Sequence, residues 1–315
     1  NKNIKHIHIQ KNDKIGFNIV YHLKEVIRRE NFDVVISYLD TPNFYTSLSM
    51  LFIRNKPKFI CSYRSKSDFG KMGFFELNMK KWVNNRADYI VSNSFHEAQR
   101  WANQQKHISN KIKTIYNAVD TSRIFPILDL NKLNYFLVVG SISEAKNGLL
   151  VIKAIAYLKS IGISIKLHWV GEKQYSIKKR ANYIDLMEKE IIKANIQDNW
   201  TWLEPSHNIN EIFNRAKALI LASTIEGLPN VVCEALATGL PCIVSNVLDH
   251  SISVNDGYNG YLFDPYSYKS LAASLQSLYT LNDIEYLTLS TNAVSVANSL
   301  FNIDKIVNSY ENLMC

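Results

Sequence analysis

Ala218-Leu-Ile-Leu-Ala-Ser223-Thr-Ile-Glu226-Gly-Leu-Pro-Asn-Val-Val-Cys-Glu234-Ala-Leu-Ala-Thr-Gly239-Leu-Pro241-Cys-Ile-Val-Ser245 is the stretch that decides the fold. Ala218–Ala222 and Cys242–Ser245 are short apolar runs of the kind a strand needs when both its faces are buried. Between them a small polar turn leads into a helical pattern over Pro229–Thr238. Gly239 follows as its C′ residue, and Pro241 blocks continuation. Two buried strands joined by one helix make a parallel pair with a right-handed crossover.

The same alternation runs outward from this unit. Upstream lie strand Tyr135–Val139, helix Gly148–Ser160, strand Lys166–Val170, a helix near Lys178–Ala194, strand Thr201–Leu203 and a short helix Ile209–Arg215. Downstream, Tyr268–Cys315 is almost wholly helical. The first part of the chain repeats the pattern. Strands are predicted at Lys5–Ile9, Asp33–Tyr38, Lys58–Ser62, Tyr89–Ser92 and Lys113–Tyr116. Helices are predicted at Phe17–Glu30, Asn43–Ile53 (with Pro42 in the first turn), Phe69–Arg86 and Ser94–Gln105. The alternation breaks only at Asp120–Lys132, where Pro126 and polar residues interrupt any period, and the interdomain linker is placed there. The expectation is an α/β protein of two Rossmann-like, doubly wound parallel-sheet domains, residues 1–130 and 131–315, facing a cleft. Ligands belong at the C-terminal ends of the strands.

Composition excludes several classes. The 315 residues are 47% hydrophobic and 20% charged, with 11 Gly and 7 Pro, which fits a large packed core and not disorder. No apolar run approaches the ~18 residues of a membrane span, and Asn1–Lys14 lacks a signal-peptide core. Cys61, Cys233, Cys242 and Cys315 stand far apart without metal or redox spacing. They read as reduced thiols packed in the core of a cytoplasmic protein. No histidine pair has metal spacing, and neither a triphosphate-binding loop nor a dinucleotide fingerprint is present, so neither metal nor cofactor is expected. Charge is unevenly placed. Residues 1–130 carry 21 basic and 11 acidic side chains, a net +10, and residues 131–315 carry 15 and 17, a net −2. The basic half suits an anionic partner, although a merely solvated basic surface fits the count equally.

Chemistry concentrates in the opening stretch. Gly227 permits close approach to the backbone, and the helix that follows offers the amides of Leu228, Asn230 and Val231 together with the positive end of its dipole. Glu226 beside those donors suits a polyol hydroxyl, and Glu234 suits a ribose. Glu226 equally suits a helix N-terminus, and Glu234 a solvated helix face.

These residues resemble a family. Glu226-Gly-Leu-Pro-Asn, the seven residues between the two glutamates, and Ala-Thr-Gly239-Leu-Pro-Cys-Ile-Val-Ser245 are similar to the retaining, nucleotide-sugar-dependent glycosyltransferases of family 4, which have the GT-B architecture. Three further elements agree in register, so that the likeness covers about residues 33–280: Val138-Val-Gly140-Ser141-Ile-Ser-Glu-Ala-Lys146-Asn, Tyr116-Asn117-Ala-Val-Asp120 and Asp256-Gly257-Tyr-Asn259-Gly260. The resemblance implies that Glu226 and Lys146 are the catalytic pair, Lys146 holding the donor diphosphate and Glu226 orienting the sugar. It also implies a donor site of Gly140, Ser141, Lys146, Glu226, Gly227, Leu228, Pro229, Asn230, Val231 and Glu234.

Departures from the family pattern are Ser141 where Arg is usual, Ala118 where Gly is usual, and Asn246–His250 without the usual Gly-Gly. The family's first strand and its glycine-rich turn are expected upstream of Asn1. Arg64, after a strand in Cys61-Ser-Tyr-Arg64-Ser, resembles an acceptor-phosphate residue. Ser94 and His96 follow the next strand as further acceptor candidates, with Ser94 also suited to an N-cap. The reaction implied is sugar transfer from a nucleoside diphosphate to a glycan or lipid-diphosphate-linked acceptor in cell-surface polysaccharide assembly. A nucleotide-sugar epimerase of the same fold, or a truncated non-catalytic relative, is the alternative. No nucleic-acid module is found. Arg54, Lys56, Lys58, Arg64, Lys66, Lys71, Lys80 and Lys81 suggest attachment to an anionic membrane surface on its cytoplasmic face.

Overall fold

A computed structural model of the chain describes residues 4–10, 16–64, 73–127 and 132–315. The chain divides into two compact units, Asn1–Ile115 with Asn308–Cys315, and Tyr116–Val307. The first is ordered α1 (Phe17–Glu30), β1 (Val34–Tyr38), α2 (Asp40–Ser49), β2 (Lys58–Tyr63), α3 (Phe74–Arg86), β3 (Tyr89–Ser92), α4 (Phe95–Gln104) and β4 (Ile112–Thr114). Among the described residues its four strands form one parallel sheet in the order β1-β2-β3-β4. A core of Ile27, Phe59, Cys61, Val83, Ile90 and Trp101 packs between sheet and helices.

The second unit contains β5 (Tyr135–Val139), α5 (Gly148–Ser160), β6 (Lys166–Val170), α6 (Lys178–Lys193), β7 (Trp200–Leu203), α7 (Ile209–Arg215), β8 (Ala218–Leu221), α8 (Asn230–Ala237), β9 (Cys242–Ser245), α9 (His250–Ser253), β10 (Gly260–Phe263), α10 (Tyr268–Tyr279), α11 (Asp283–Leu300) and α12 (Ile303–Met314), the last running on into the first unit's terminal segment. Its six strands are all parallel, in the order β10-β9-β8-β5-β6-β7. Counted from β5, this is the doubly wound order 3-2-1-4-5-6. Side chains alternate between the faces as a strand's period of two requires. Phe136, Val138, Ala218, Ile220 and Ile243 enter one core, and Tyr135, Leu137, Leu219, Leu221 and Val244 enter the other. Both faces are buried, which is why these strands read as unbroken apolar runs.

Several expectations are corrected. Residues 4–10 form no strand and lie along α1 instead, where Lys5 Nζ meets Glu30 at 2.6 Å and Asn18 Nδ2 donates to the Gln10 carbonyl at 2.6 Å. The irregular stretch expected to link the domains belongs to the second unit. Val119 N donates to the Phe301 carbonyl (3.0 Å), while Asn210 and Asn214 accept from the amides of Phe125 (3.0 Å) and Ile127 (2.7 Å). Side-chain amides thus satisfy backbone that has no ladder of its own. Of the four thiols, Cys61, Cys233 and Cys242 are buried as core residues, whereas Cys315 is exposed.

Strand β10 is not among the strands expected from the sequence, and it lies against β9 at one very close approach. A Cβ on Gly260 would sit 2.0 Å from the Cys242 carbonyl oxygen of β9. Gly260→Ala is therefore expected to lower the unfolding free energy by roughly 2–4 kcal/mol, by forcing the edge strand away from its neighbour. Urea denaturation of the two proteins measures the difference, and an unchanged midpoint would mean that the edge yields freely.

Candidate donor site of the second unit

The order of the second sheet reverses between β5 and β8, where two successive connections leave in opposite directions. These strands pair only through Phe136↔Ala218 and Leu137↔Leu219, whereas β5 pairs with β6 at five positions. Beyond Leu137 the two chains part. The loops that follow them, 140–147 and 222–229, are tied by Thr224 N donating to the Ala145 carbonyl at 3.2 Å.

Lys146 and Glu226 come from these two loops. Lys146 closes a single 3₁₀ turn, Glu144–Lys146, after which Asn147 takes a left-handed φ of 54° and starts α5. Lys146 Nζ lies 2.5 Å from Glu226 Oε1, with side-chain exposures of 19% and 25%. The same carboxylate oxygen accepts from Ser223 Oγ at 3.1 Å. Ser223 is held in turn by Ser245 Oγ at the end of β9, which donates to its carbonyl at 2.6 Å. The sequence suggests separate tasks for the lysine and the glutamate; the fold joins them as one ion pair.

Helix α8 begins one residue later than the pattern predicts. Pro229 is its N-cap, extended at φ −76°, and its carbonyl accepts from Val232 (3.1 Å) and Cys233 (3.4 Å). The amides of Asn230 and Val231 precede the first intrahelical bond and remain available. Leu228 is buried in the same core as Cys233, the pairing of a hydrophobic staple that fixes how the chain enters the helix. Leu228 and Pro229 therefore shape the turn, while Asn230 is exposed beside it. At the far end Gly239, at φ 75°, closes a Schellman cap in which Leu240 N donates to the Ala235 carbonyl at 3.0 Å. Glu234, half-buried on α8, has its carboxyl pushed up by burial, with Arg123 opposing the shift. Gly140 and Ser141 lie half-buried in the loop after β5.

Residues 120–294, more than half of the chain, match the family profile Glycosyl transferases group 1. The chain belongs to the group 1 glycosyl transferases. Residues 5–123 match a second profile, Glycosyltransferase Family 4. An Escherichia coli UDP-Gal:alpha-D-GlcNAc-diphosphoundecaprenol alpha-1,3-galactosyltransferase is 26% identical over 216 residues, 64% of this chain and 54% of that one. This group 1 glycosyl transferase spans about half the length of the curated relatives it matches. In solved structures the fold recurs in a Rickettsia africae ESF-5 glycosyltransferase (TM-score 0.84, 17% identity, 99% of this chain and 84% of that one). It recurs also in Anabaena HepE crystallised with UDP (TM-score 0.83, 16% identity, 96% and 84%). The architecture is GT-B.

The first unit of this glycosyl transferase departs further from expectation. Arg64, just beyond β2, donates through Nη2 to Tyr310 Oη at 2.5 Å, and its guanidinium lies 5.2 Å from the centre of the Tyr38 ring. Ser94 is buried as the N-cap of α4, its hydroxyl accepting from Glu97 N at 3.2 Å. Its role is structural here, because that oxygen is turned into the helix. His96 is exposed on the first turn of α4, edge-on to Phe95. Of the basic residues expected at a surface, Arg54, Lys56 and Lys81 are exposed. Lys80 is buried: it pairs with Asp40 at 2.9 Å and lies 4.0 Å and 4.9 Å from the Tyr63 and Trp101 ring centres. Burial lowers its pKa against the opposing pull of Asp40. Lys58 donates to the Met314 carbonyl at 3.0 Å. Lys66 and Lys71 lie outside the described residues.

Two contributors stand outside the site residues expected from the sequence. Asn117 Nδ2 donates to Asn230 Oδ1 at 2.5 Å, anchoring the first residue of α8. His250 is wholly buried behind the end of β9. The Asn117 motif carried a signal; His250 carried none beyond its place after a strand. Among the described residues, no three His, Cys, Asp or Glu side chains are gathered as a metal site requires.

The Ser245 hydroxyl joins β9 to the turn that carries Glu226. Ser245→Ala is expected to cost about 1–3 kcal/mol, because it leaves the Ser223 carbonyl without its buried donor. Chemical denaturation reads this directly, and a loss below half a kcal/mol would show the turn to be held by other contacts.

Proposed function

We propose that this chain is part of a retaining glycosyltransferase that moves a sugar from a nucleoside diphosphate to a glycan or lipid-diphosphate-linked acceptor during assembly of a cell-surface polysaccharide. The observation that carries the reading is the Lys146–Glu226 pair beside the N-terminus of α8, at the C-terminal ends of the two strands flanking the sheet's switch point. The E. coli relative is named for a UDP-galactose donor and a diphosphoundecaprenol-linked acceptor, and HepE was crystallised with UDP. Both support a uridine nucleotide as the first ligand to try.

In this reading the donor diphosphate draws Lys146 away from Glu226. The ammonium and the amides of Asn230 and Val231 then face the charge that develops as the sugar leaves. Glu226, still accepting from Ser223 Oγ, turns its freed oxygen to a sugar hydroxyl, and Glu234 accepts from the ribose. The bond between the anomeric carbon and the phosphate oxygen breaks as the acceptor oxygen bonds to that carbon from the same face. The acceptor's proton passes to the departing phosphate oxygen, so the protein supplies no nucleophile. Lysine and helix N-terminus do the neutralising for which a divalent cation would otherwise be needed. Arg64 and His96 are the acceptor-side residues in this scheme, with Ser94 kept as a cap.

Mass spectrometry after incubation with a panel of nucleoside-diphosphate sugars and a lipid-diphosphate acceptor tests the reaction. Lys146→Ala is expected to lower turnover by roughly 10²-fold; turnover within twofold of wild type would reduce Lys146 to a surface lysine. Glu234→Gln removes a charge-assisted bond worth about 1.5–3 kcal/mol, so the Kd for UDP should rise roughly 10- to 100-fold by calorimetry. Activity abolished by a chelator and restored by magnesium or manganese would contradict transfer without a metal.

The same reading places the protein at the cytoplasmic face of an anionic membrane, attached through the first unit. Among the described residues no helix is long and apolar enough to cross a bilayer. Phe52 is 93% exposed on the loop that carries Arg54 and Lys56, and Phe74 and Phe75 are exposed at the start of α3. Exposed aromatics beside basic residues favour a headgroup region, each cation adding about 1 kcal/mol near anionic lipid. Co-sedimentation with phosphatidylglycerol vesicles should occur at low salt, fail with neutral vesicles and weaken in Phe52→Ser. Equal binding to both vesicle types, or none, would reject the attachment.

A further inference from the structure

Beyond β9 the backbone turns through Leu248, a non-glycine residue at φ 44°. Two residues later the His250 side chain has no exposed surface. Its Nδ1 lies 2.7 Å from the Ser245 carbonyl oxygen. A carbonyl can only accept, so Nδ1 carries the hydrogen and the lone pair of the neutral ring is at Nε2. Nε2 is buried without a hydrogen-bond partner among the described residues.

Ser245 makes this tautomer consequential, because its hydroxyl donates to the Ser223 carbonyl and the Ser223 hydroxyl donates to Glu226 Oε1. The imidazole is the inner end of a chain of hydrogen bonds whose outer end is the carboxylate paired with Lys146. We propose that His250, as the neutral Nδ1–H imidazole, is a positioning residue that holds Glu226 in register with Lys146. The inference rests on the reading of that pair as the contacts to sugar and diphosphate.

The charges facing the ring are Glu226, Lys146 and Asp249. Burial lowers the imidazole pKa, outweighing the Ser245 carbonyl, Glu226 and Asp249, which favour the cation, while Lys146 adds to the lowering. Protonation would place a hydrogen on Nε2 where nothing accepts it, and would set a new cation behind an existing ion pair. The ring must then move, and Ser245, Ser223 and Glu226 move with it. Because the folded protein holds the ring below its unfolded pKa of about 6.5, the chain is intact at and above that pH and is lost only as pH falls through the ring's lowered pKa in the folded protein.

Nitrogen-15 NMR of histidine-labelled protein tests the coupling without any assay of activity. His250 should show a protonated Nδ1 at pH 7, and its pKa should fall in Glu226→Gln and rise in Lys146→Met. A protonated Nε2, or one pKa in all three proteins, overturns the proposal. Turnover supplies the second arm. His250→Phe should lower kcat at least tenfold, with UDP affinity by calorimetry within twofold of wild type. His250→Asn keeps a donor at the δ position and cannot titrate. It should therefore retain kcat within about threefold and lose the acid limb of the pH profile. Wild-type kcat in His250→Phe, or an unchanged acid limb in His250→Asn, overturns it as well. A wild-type protein that turns over no donor counts against the transferase reading alone, and the NMR arm still decides the role of His250.

Discussion

The second unit is organised by how briefly β5 and β8 stay together. Their ladder covers two positions before each strand turns towards its other neighbour. A sheet wound in both directions must separate its central strands in this way, since the two crossovers leave on opposite sides. The candidate site lies beyond the point where the two strands cease to pair. The separation gives the loops after the two strands room to approach each other at their tips, and it lets a lysine and a glutamate 80 residues apart in sequence meet at 2.5 Å.

The pair so formed is partly wet, and an attraction of that kind is easily exchanged. Solvent-exposed ion pairs contribute at most about 1 kcal/mol. In the proposed reaction a ligand carrying two negative phosphates competes for the ammonium, and the carboxylate then needs support of its own. The Ser223 and Ser245 hydroxyls supply that support from two strand ends, and the buried imidazole stands behind them. The site is thus firm on the glutamate side and exchangeable on the lysine side.

Charge in the first unit shows why a count along the sequence misleads. Its basic excess does not lie wholly on the surface. Lys80 is buried against two aromatic rings and one aspartate, a placement that satisfies the ammonium locally and leaves nothing for a distant partner. Arg64, which follows a strand as a phosphate-binding residue would, is engaged by two tyrosines, one of them in the last helix.

The sequence by itself determined the periodic part of this protein. Buried parallel strands such as Tyr135–Val139 and Cys242–Ser245 are apolar on both faces, and the helices Phe17–Glu30, Gly148–Ser160 and Ile209–Arg215 end where their patterns end. Hydrophobic period and local capping act within a few residues, so they are legible one segment at a time. The motif around Glu226 was legible for the same reason, its turn, staple and glycine cap being contiguous. Tertiary structure alone decided what depends on distant neighbours. Residues 4–10 have strand-like composition but form no strand, and they make their contacts with Glu30 and Asn18 of a helix instead. Gly260–Phe263 takes its place as the edge strand because it pairs with β9, where the glycine allows a close approach to the Cys242 carbonyl. The pairing of Lys146 with Glu226, the anchoring of Asn230 by Asn117 and the burial of His250 each join side chains far apart along the chain or hidden behind a strand end. No local pattern encodes such distances, since they exist only once the sheet has closed.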